Sequence, residues 1–433
     1  MKRNLFLASL LITAMSILVG AEDRVLPIHR PSALRAATTQ IPALPSDAFF
    51  DDTILHDVRL DINSKDWQTL KENYLTNAYY PSDLKWGGQV VRNVGIRSRG
   101  NASRSGVKPS LKVDLDHYTA NQTFLGLKSF VLRNNSTDYS SLHERLSMQL
   151  FTRLGQPAPR VAHTRLYVNN AYAGLYSIVE SIDKAFLTRN FDENGGYLYK
   201  FDRNEGDAPY YFQYFGPNPD LYVPHPFAPE THENDPKPQP LVDLIRTVAE
   251  ASDANFRSAI AQYLDLTKFI RHVAGVVYMA DEDGFLGNWG MNNFDIYQLQ
   301  NKTVHVVIPW DKSESTRPGP TYSIFHNISD VPATQQNRLM SRILAFSDLK
   351  NQYLDALLDY ATSADELMFG DGRGWMEREV DRENQQIQDA VLTDPQKAYT
   401  NDQFTTAVDD LRKFARERPE FVRGEVAAAR STP

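Results

Sequence analysis

Residues 280–311 read ADEDGFLGNWGMNNFDIYQLQNKTVHVVIPWD, and the fold and the site both turn on this stretch. Three acids come first: Asp281, Glu282 and Asp283. Amides follow at Asn288 and at Asn292-Asn293. Phe294 to Gln300 and Thr303 to Ile308 then alternate apolar and polar residues, the pattern of a strand pair, and Trp310-Asp311 closes it. A hairpin that gathers carboxylates and an amide oxygen makes a hard-oxygen site suited to Mg²⁺. A carboxylate outside that shell can take a proton from a hydroxyl. The competing reading is a polar loop of caps and solvated acids. A core strand, HVVIPWD, that ends in a lone Asp weighs toward function, because strand ends feed clefts.

Upstream, Gln89 to Ser98 (QVVRNVGIRS) and Ser110 to Leu115 (SLKVDL) alternate as strands. Between them RGNAS carries turn chemistry. The whole segment, RSRGNASRSGVKPSLK over Arg97–Lys112, can lay backbone N–H groups and basic side chains over phosphates; its bland counterpart is a solvated basic hairpin. Ser140 to Leu154 is helical and closes at Gly155. Arg165–Val168 and Ala173–Val179 flank Asn169-Asn170, a hairpin signal. Glu180 and Asp183 follow that hairpin, where acids commonly cap a helix, and Ile182–Asn190 reads as a short helix. Residues 202–240 are rich in Pro, Gly and aromatics, an ordered insertion. Patterns at 241–263, 266–280, 334–361, 364–389 and 402–417 are helical. The order predicts an α+β chain, strand-rich in front and helical behind, with two lobes and a cleft between them.

Composition bounds the rest. The 433 residues hold 46 Lys and Arg against 54 Asp and Glu, a net charge of −8, which opposes a general nucleic-acid binder. There is no Cys, so thiol catalysis, zinc–thiolate sites and disulfides are excluded. Lys2 and Arg3 precede an apolar run, Leu5 to Val19, and Val19-Gly20-Ala21 follows. This pattern predicts a secretory signal peptide at 1–21. Pro27, Pro31, Pro42 and Pro45 mark an extended linker at 22–48. The expected lobes are 49–180 and 181–421, with a frayed tail at 422–433, no later membrane span, and a secreted or cell-surface location.

These residues resemble the spore coat protein H (CotH) kinase family of atypical protein kinases. The resemblance is carried by RGNASR (Arg99–Arg104), KPSLK (Lys108–Lys112), Asn134, Asn135 and Asp138. LYVNNAYAGLYSIVESID (Leu166–Asp183), DGFLGNWGMNNFDIY and VIPWD complete it, over roughly residues 57–317. It implies a two-lobed kinase-like fold and transfer of the ATP γ-phosphate to Ser of a protein, with Mg²⁺ or Mn²⁺. On this resemblance Asp283 takes the place of the catalytic acid and Asp311 that of the metal-binding acid. Asn288 and Asn293 are alternative metal-binding amides. Arg99, Arg104 and Lys108 hold phosphates, Lys112 is the alternative to Lys108, and Glu144 is the helix partner of that Lys. Glu180 and Asp183 stand near the adenine or ribose.

The family usually reads W-D-x-D where this chain has Trp310-Asp311-Lys312-Ser313, with Glu314 adjacent. The missing acid favours a rival reading, a surface or assembly module that keeps the fold without turnover. A second rival is a phosphotransferase acting on a glycan, with the aromatics at 210–227 stacking on sugars; a lid or packing loop is the plainer reading of that segment.

Overall fold

A computed structural model describes residues 44–431 apart from 102, 204 and 205. The expected signal peptide and most of the expected linker lie outside the described residues. The last linker residues form a 3-10 turn, Pro45–Phe50, that buries Phe49 and Phe50.

Seven strands build the front half: β1 His56–Ile62, β2 Tyr80–Trp86, β3 Gln89–Ser98, β4 Leu111–Asp114, β5 Ser129–Arg133, β6 Val161–Val168 and β7 Ala171–Glu180. Helix α1, Ser64–Glu72, lies between β1 and β2, and α2, His143–Arg153, between β5 and β6. The strands close into a barrel in the order β1-β2-β3-β4-β5-β7-β6. The mixed helix and strand content is as expected, whereas a closed seven-stranded barrel is not the usual kinase lobe and does not by itself establish the two-lobed arrangement. The closing strand is β1, HDVRLDI, whose alternate residues Val58, Leu60 and Ile62 point inward. It pairs in parallel with β6, Leu60 opposite Val168. The Thr164 hydroxyl stitches that seam, accepting from Val58 N at 3.1 Å and donating to His56 O at 3.1 Å. Ile96, Val113, Phe130 and Ile178 join the barrel core, each fully buried; a side chain of this kind contributes about 1.5–3 kcal/mol.

The second half runs α3 Lys184–Phe191, β8 Tyr197–Phe201, β9 Phe227–Pro229, α4 Gln239–Glu250, α5 Asp253–Ile260 and α6 Leu266–Tyr278. It continues with β10 Phe294–Gln298, β11 His305–Pro309, α7 Arg338–Leu344, α8 Ser347–Ala364, α9 Trp375–Leu392 and α10 Asn401–Ser431. Its four strands form an antiparallel sheet, β11-β10-β8-β9, with Asp295 opposite both Ile308 and Lys200.

Several boundaries differ from the sequence expectation; the helix expected at 364–389 is α9, which starts only at Trp375. The pattern at 241–263 breaks where Ala251 and Ser252 turn extended, Ser252 then standing as N-cap of α5. The pattern at 334–361 breaks at the extended Phe346. The tail expected to fray is the end of α10, which continues through Pro419 because Val422 and Val426 are buried. Arg418 secures that turn, donating to the carbonyls of Val277, Tyr278 and Pro320. The 202–240 insertion is a packing loop: Tyr210, Phe212, Tyr222 and Phe227 sit in the main helical core. Those four rings are packed away from solvent, whereas Phe215 in the same segment is 55% exposed.

Candidate functional site

A cleft of about 790 Å³ opens between the barrel and the second sheet. Arg97 and Arg99 at the end of β3, Lys112 on β4 and Val131 on β5 line one side. Asp183, Lys200, Asp295 and Trp310 line the other.

At one end of it, Arg133 joins two carboxylates. Its Nε lies 2.7 Å from Glu144 Oε2 on α2, and its Nη1 lies 2.5 Å from Asp311 Oδ2 after β11. Both Arg133 and Glu144 are nearly free of solvent, whereas the Asp311 side chain keeps 26% exposure. Burial acts to raise the Asp311 pKa, but Arg133, the Ser313 hydroxyl and Arg99 hold it down to about 2. Burial pushes Glu144 up to about 7 against the pull of Arg133. Arg99 lies beside this triad, its guanidinium 5.4 Å from the Trp310 ring centroid, and Arg133 stands 5.7 Å from the same ring. Among the described residues Arg99 has no carboxylate within ion-pair distance. Burial, then the Arg133 charge, lowers its pKa to about 10. A desolvated cation beside another cation is a site waiting for an anion.

Asp283 is held by two amides. Asn292 Nδ2 donates to Oδ1 at 3.0 Å and Asn293 Nδ2 to Oδ2 at 2.8 Å. Burial raises its pKa, and the charges of Asp281 and Asp311 add to that, so Asp283 and Asp311 share one electrostatic neighbourhood. The loop is stapled from within by Lys312. Its ammonium, fully buried, donates to Asp281 Oδ2 at 2.7 Å and to Asn293 O at 3.0 Å. Asn293 and Asp311 both carry positive φ, 53° and 45°, a conformation Asn and Asp tolerate better than most residues.

The structure separates the expected site residues into two groups. Arg99 and Lys112 line the cleft, Asp311 follows its lining residue Trp310, and Asp283 with its partner Asn293 lies within reach of the Asp311 charge. Asp183 also faces the cleft, while serving as N-cap of α3 with Ala185 N and Phe186 N on its carboxylate; burial lifts its pKa to about 6. The others are engaged elsewhere. Lys108 is buried against Asp394 at 2.7 Å and Leu175 O at 2.8 Å, so it neither pairs with Glu144 nor reaches the cleft. Glu144 takes Arg133 instead. Arg104 spends its guanidinium on Gly100 O, Tyr74 O, Thr76 O and Asn77, clamping the turn after β3. Glu180 is neutralised by Arg160 at 2.7 Å and Arg189 at 2.6 Å. Asn288 is tied to His326, Asn327 and Glu282 and does not meet Asp283.

Sequence reasoning missed Arg133, Asp295 and Asp394, named Asn292 only as one of the loop's amides, and noted Lys312 only as a residue that is not the family's acid. Arg133 carried a signal, since it ends the apolar strand SFVLR and a charge there must be paired when buried. Asp394 and Lys312 carried none, because each is defined by its distant partner.

Among the described residues no group of three or more His, Cys, Asp or Glu is poised to hold a metal. The donors on which one hard divalent cation would draw are Asp311, a partly open carboxylate whose oxygens take Arg133 and the Ser313 hydroxyl, and Asn293, whose Nδ2 is spent on Asp283. They do not fit a second cation in the family's manner. Ser313 donates to Asp311 Oδ1 at 2.8 Å, and Glu314 is paired with Arg317.

Mixed α+β content, a cation-lined cleft and two differently tuned aspartates describe a kinase-like protein. Residues 96–422 match the family model described as CotH kinase protein, and the chain belongs to that family. It is 23% identical over 370 residues to the inner spore coat protein H of Bacillus subtilis (strain 168), covering 85% of this chain and 97% of that one. The crystal structure of a Helicobacter pylori proinflammatory kinase, CtkA, aligns over 74% of this chain and 95% of that one. The TM-score is 0.31 and the identity 9%, too distant a likeness to carry an argument. Among the described residues no helix is long and apolar enough to cross a membrane.

Proposed function

We propose that this protein is an exported ATP-dependent kinase that transfers the γ-phosphate to Ser of a protein acceptor. The observation that carries the reading is the Arg133 bridge between Glu144 and Asp311, with unpaired Arg99 beside it on Trp310. It sets positive charge and an ionised Asp at one end of a cleft whose neighbouring loop holds Asp283 ready. Arg99 and Lys112 bind the phosphate chain. Asp283, its carboxylate aligned by Asn292 and Asn293, accepts the proton of the Ser hydroxyl and points that oxygen at the phosphorus. Arg133 fixes Asp311, and its charge lies where negative charge builds on the transferred group. Asp311 and the Asn293 oxygen are the residues that would hold Mg²⁺ or Mn²⁺, which supplies neutralisation of the β- and γ-phosphate oxygens.

The chain would meet its acceptor on the export route or outside the cell. A catalytically silent family member is the second reading, favoured by Ser313 and by the pairing of Glu314 with Arg317.

The test is incubation of the chain with γ-labelled ATP, Mg²⁺ or Mn²⁺ and a Ser-rich protein, beside D283N and D311N. Label on protein Ser, reduced about a hundredfold or more in both variants, supports the kinase. ATP binding without label on any protein supports the silent reading. Label on a glycan supports transfer to a different acceptor.

A further inference from the structure

Asp295 stands apart from the groups used above. It lies on β10, just after Asn293, whose positive φ precedes the strand, and it stands opposite Lys200 and Ile308 on the paired strands. Its side chain is 5% exposed and lines the cleft. Its Oδ1 is fully buried and accepts no hydrogen bond. A buried acceptor left without a donor is costly, and proteins rarely keep one without a purpose. The surroundings narrow what donor fits. Val131, Ile182 and Trp310 give the cleft apolar walls, while Lys200 on the paired strand is engaged by Asp202 at 3.1 Å. The buried cations that suit a phosphate are already grouped around Trp310. A flat, apolar-faced ring with an N–H on its edge matches both the walls and the orphan oxygen.

We propose that Asp295 Oδ1 accepts a hydrogen bond from the exocyclic amino group of the adenine ring of the bound nucleotide, and so sets base preference. The proposal rests on the kinase reading of the cleft. Val131 and Ile182 cover the faces of the ring, and the triphosphate extends from it toward Arg99 and Asp311.

The test measures binding of ATP, purine riboside triphosphate (which lacks the 6-amino group), 2′-deoxy-ATP and tripolyphosphate, all with Mg²⁺, to the chain and to D295A and D295N. The original chain should prefer ATP to the deaminated analogue by about tenfold to a hundredfold, the effect of leaving one buried acceptor unpaired. In D295A that ratio should fall to within about threefold while tripolyphosphate binds as before, which also shows that the variant is folded. D295N keeps an acceptor oxygen and should keep most of the preference. An unchanged ratio in D295A overturns the assignment. So does equal binding of ATP and the analogue by the original chain. A loss of affinity for 2′-deoxy-ATP that disappears in D295A gives Asp295 to the ribose and overturns the base assignment. Failure of every ligand, tripolyphosphate included, overturns the kinase reading itself and this assignment with it.

Discussion

Lys108 Nζ lies 2.7 Å from Asp394 Oδ2, with the two side chains 5% and 1% exposed. The residues are 286 positions apart in the chain, and their contact ties the start of β4 to the turn after α9. Asp394 Oδ2 also accepts from Leu175 N at 3.0 Å. Gly174 makes room for that carboxylate: its φ is +119°, and a Cβ there would overlap Asp394.

Removing one partner of this pair should be costly. K108M leaves a buried carboxylate uncompensated and should lose about 3–5 kcal/mol in denaturant unfolding. K108M with D394N should lose less than the sum of the single changes. Activity per folded molecule should fall by less than about tenfold, since a residue outside the cleft holds no transition-state contact. A K108M protein of undiminished stability and no activity would return Lys108 to the phosphate site.

Arg133 serves stability and chemistry at once, and two variants separate these. R133M should cost about 3–5 kcal/mol, because Glu144 stays buried without its counter-ion. Adding E144L should recover much of that loss in thermal unfolding. Phosphoryl transfer should not recover, because Asp311 still lacks its partner. Recovery of activity in the double variant would show that Arg133 acts only as a structural ion.

The amides of the loop should divide cleanly. N293A removes a donor to Asp283 and a candidate cation ligand, and should lower kcat about a hundredfold or more. N288A cuts contacts to His326, Asn327 and Glu282 and should leave kcat within about threefold, a surface change with no transition-state contact. Steady-state kinetics on the two variants decides between them, and the reverse ranking would place the cation beside Asn288.

Protonation gives a further check. His163 is buried, with Nε2 donating to Ser141 O at 2.8 Å and Nδ1 unpartnered. Burial, then the Arg145 charge, lowers its pKa to about 3. The unfolded chain therefore binds this proton first, so stability is present above the unfolded value of about 6.5 and is lost as pH falls below it. At pH 5 the loss is about 2 kcal/mol from this group. Buried acids of raised pKa, Glu144 among them, act in the opposite direction, so the informative quantity is the difference from H163Q. In urea titrations between pH 7 and pH 5, H163Q should lose about 2 kcal/mol less than the original chain. Equal losses would mean that His163 is protonated in the folded state.

Much of this molecule was legible in the residues themselves. Alternation alone placed β3 at Gln89–Ser98, and the Asn169-Asn170 turn placed the β6–β7 hairpin. The strand pair ending at Trp310-Asp311 was equally plain. Asp311 stood out because an acid that ends an apolar strand needs a reason to be there, and Asp283 stood out from its neighbouring acids through the family resemblance. The strands, the turn and the strand-end acid are local properties, settled by side-chain period and turn chemistry over a few residues. Barrel closure through β1 and β6, the capture of Lys108 by Asp394, the transfer of Glu144 from Lys108 to Arg133 and the engagement of Arg104 and Asn288 are not local. Each depends on which distant charge or donor the packed backbone brings within reach. A buried charge must find a partner among the groups that the fold puts beside it. The sequence determined which residues are equipped for chemistry, and tertiary packing decided which of them are free to perform it.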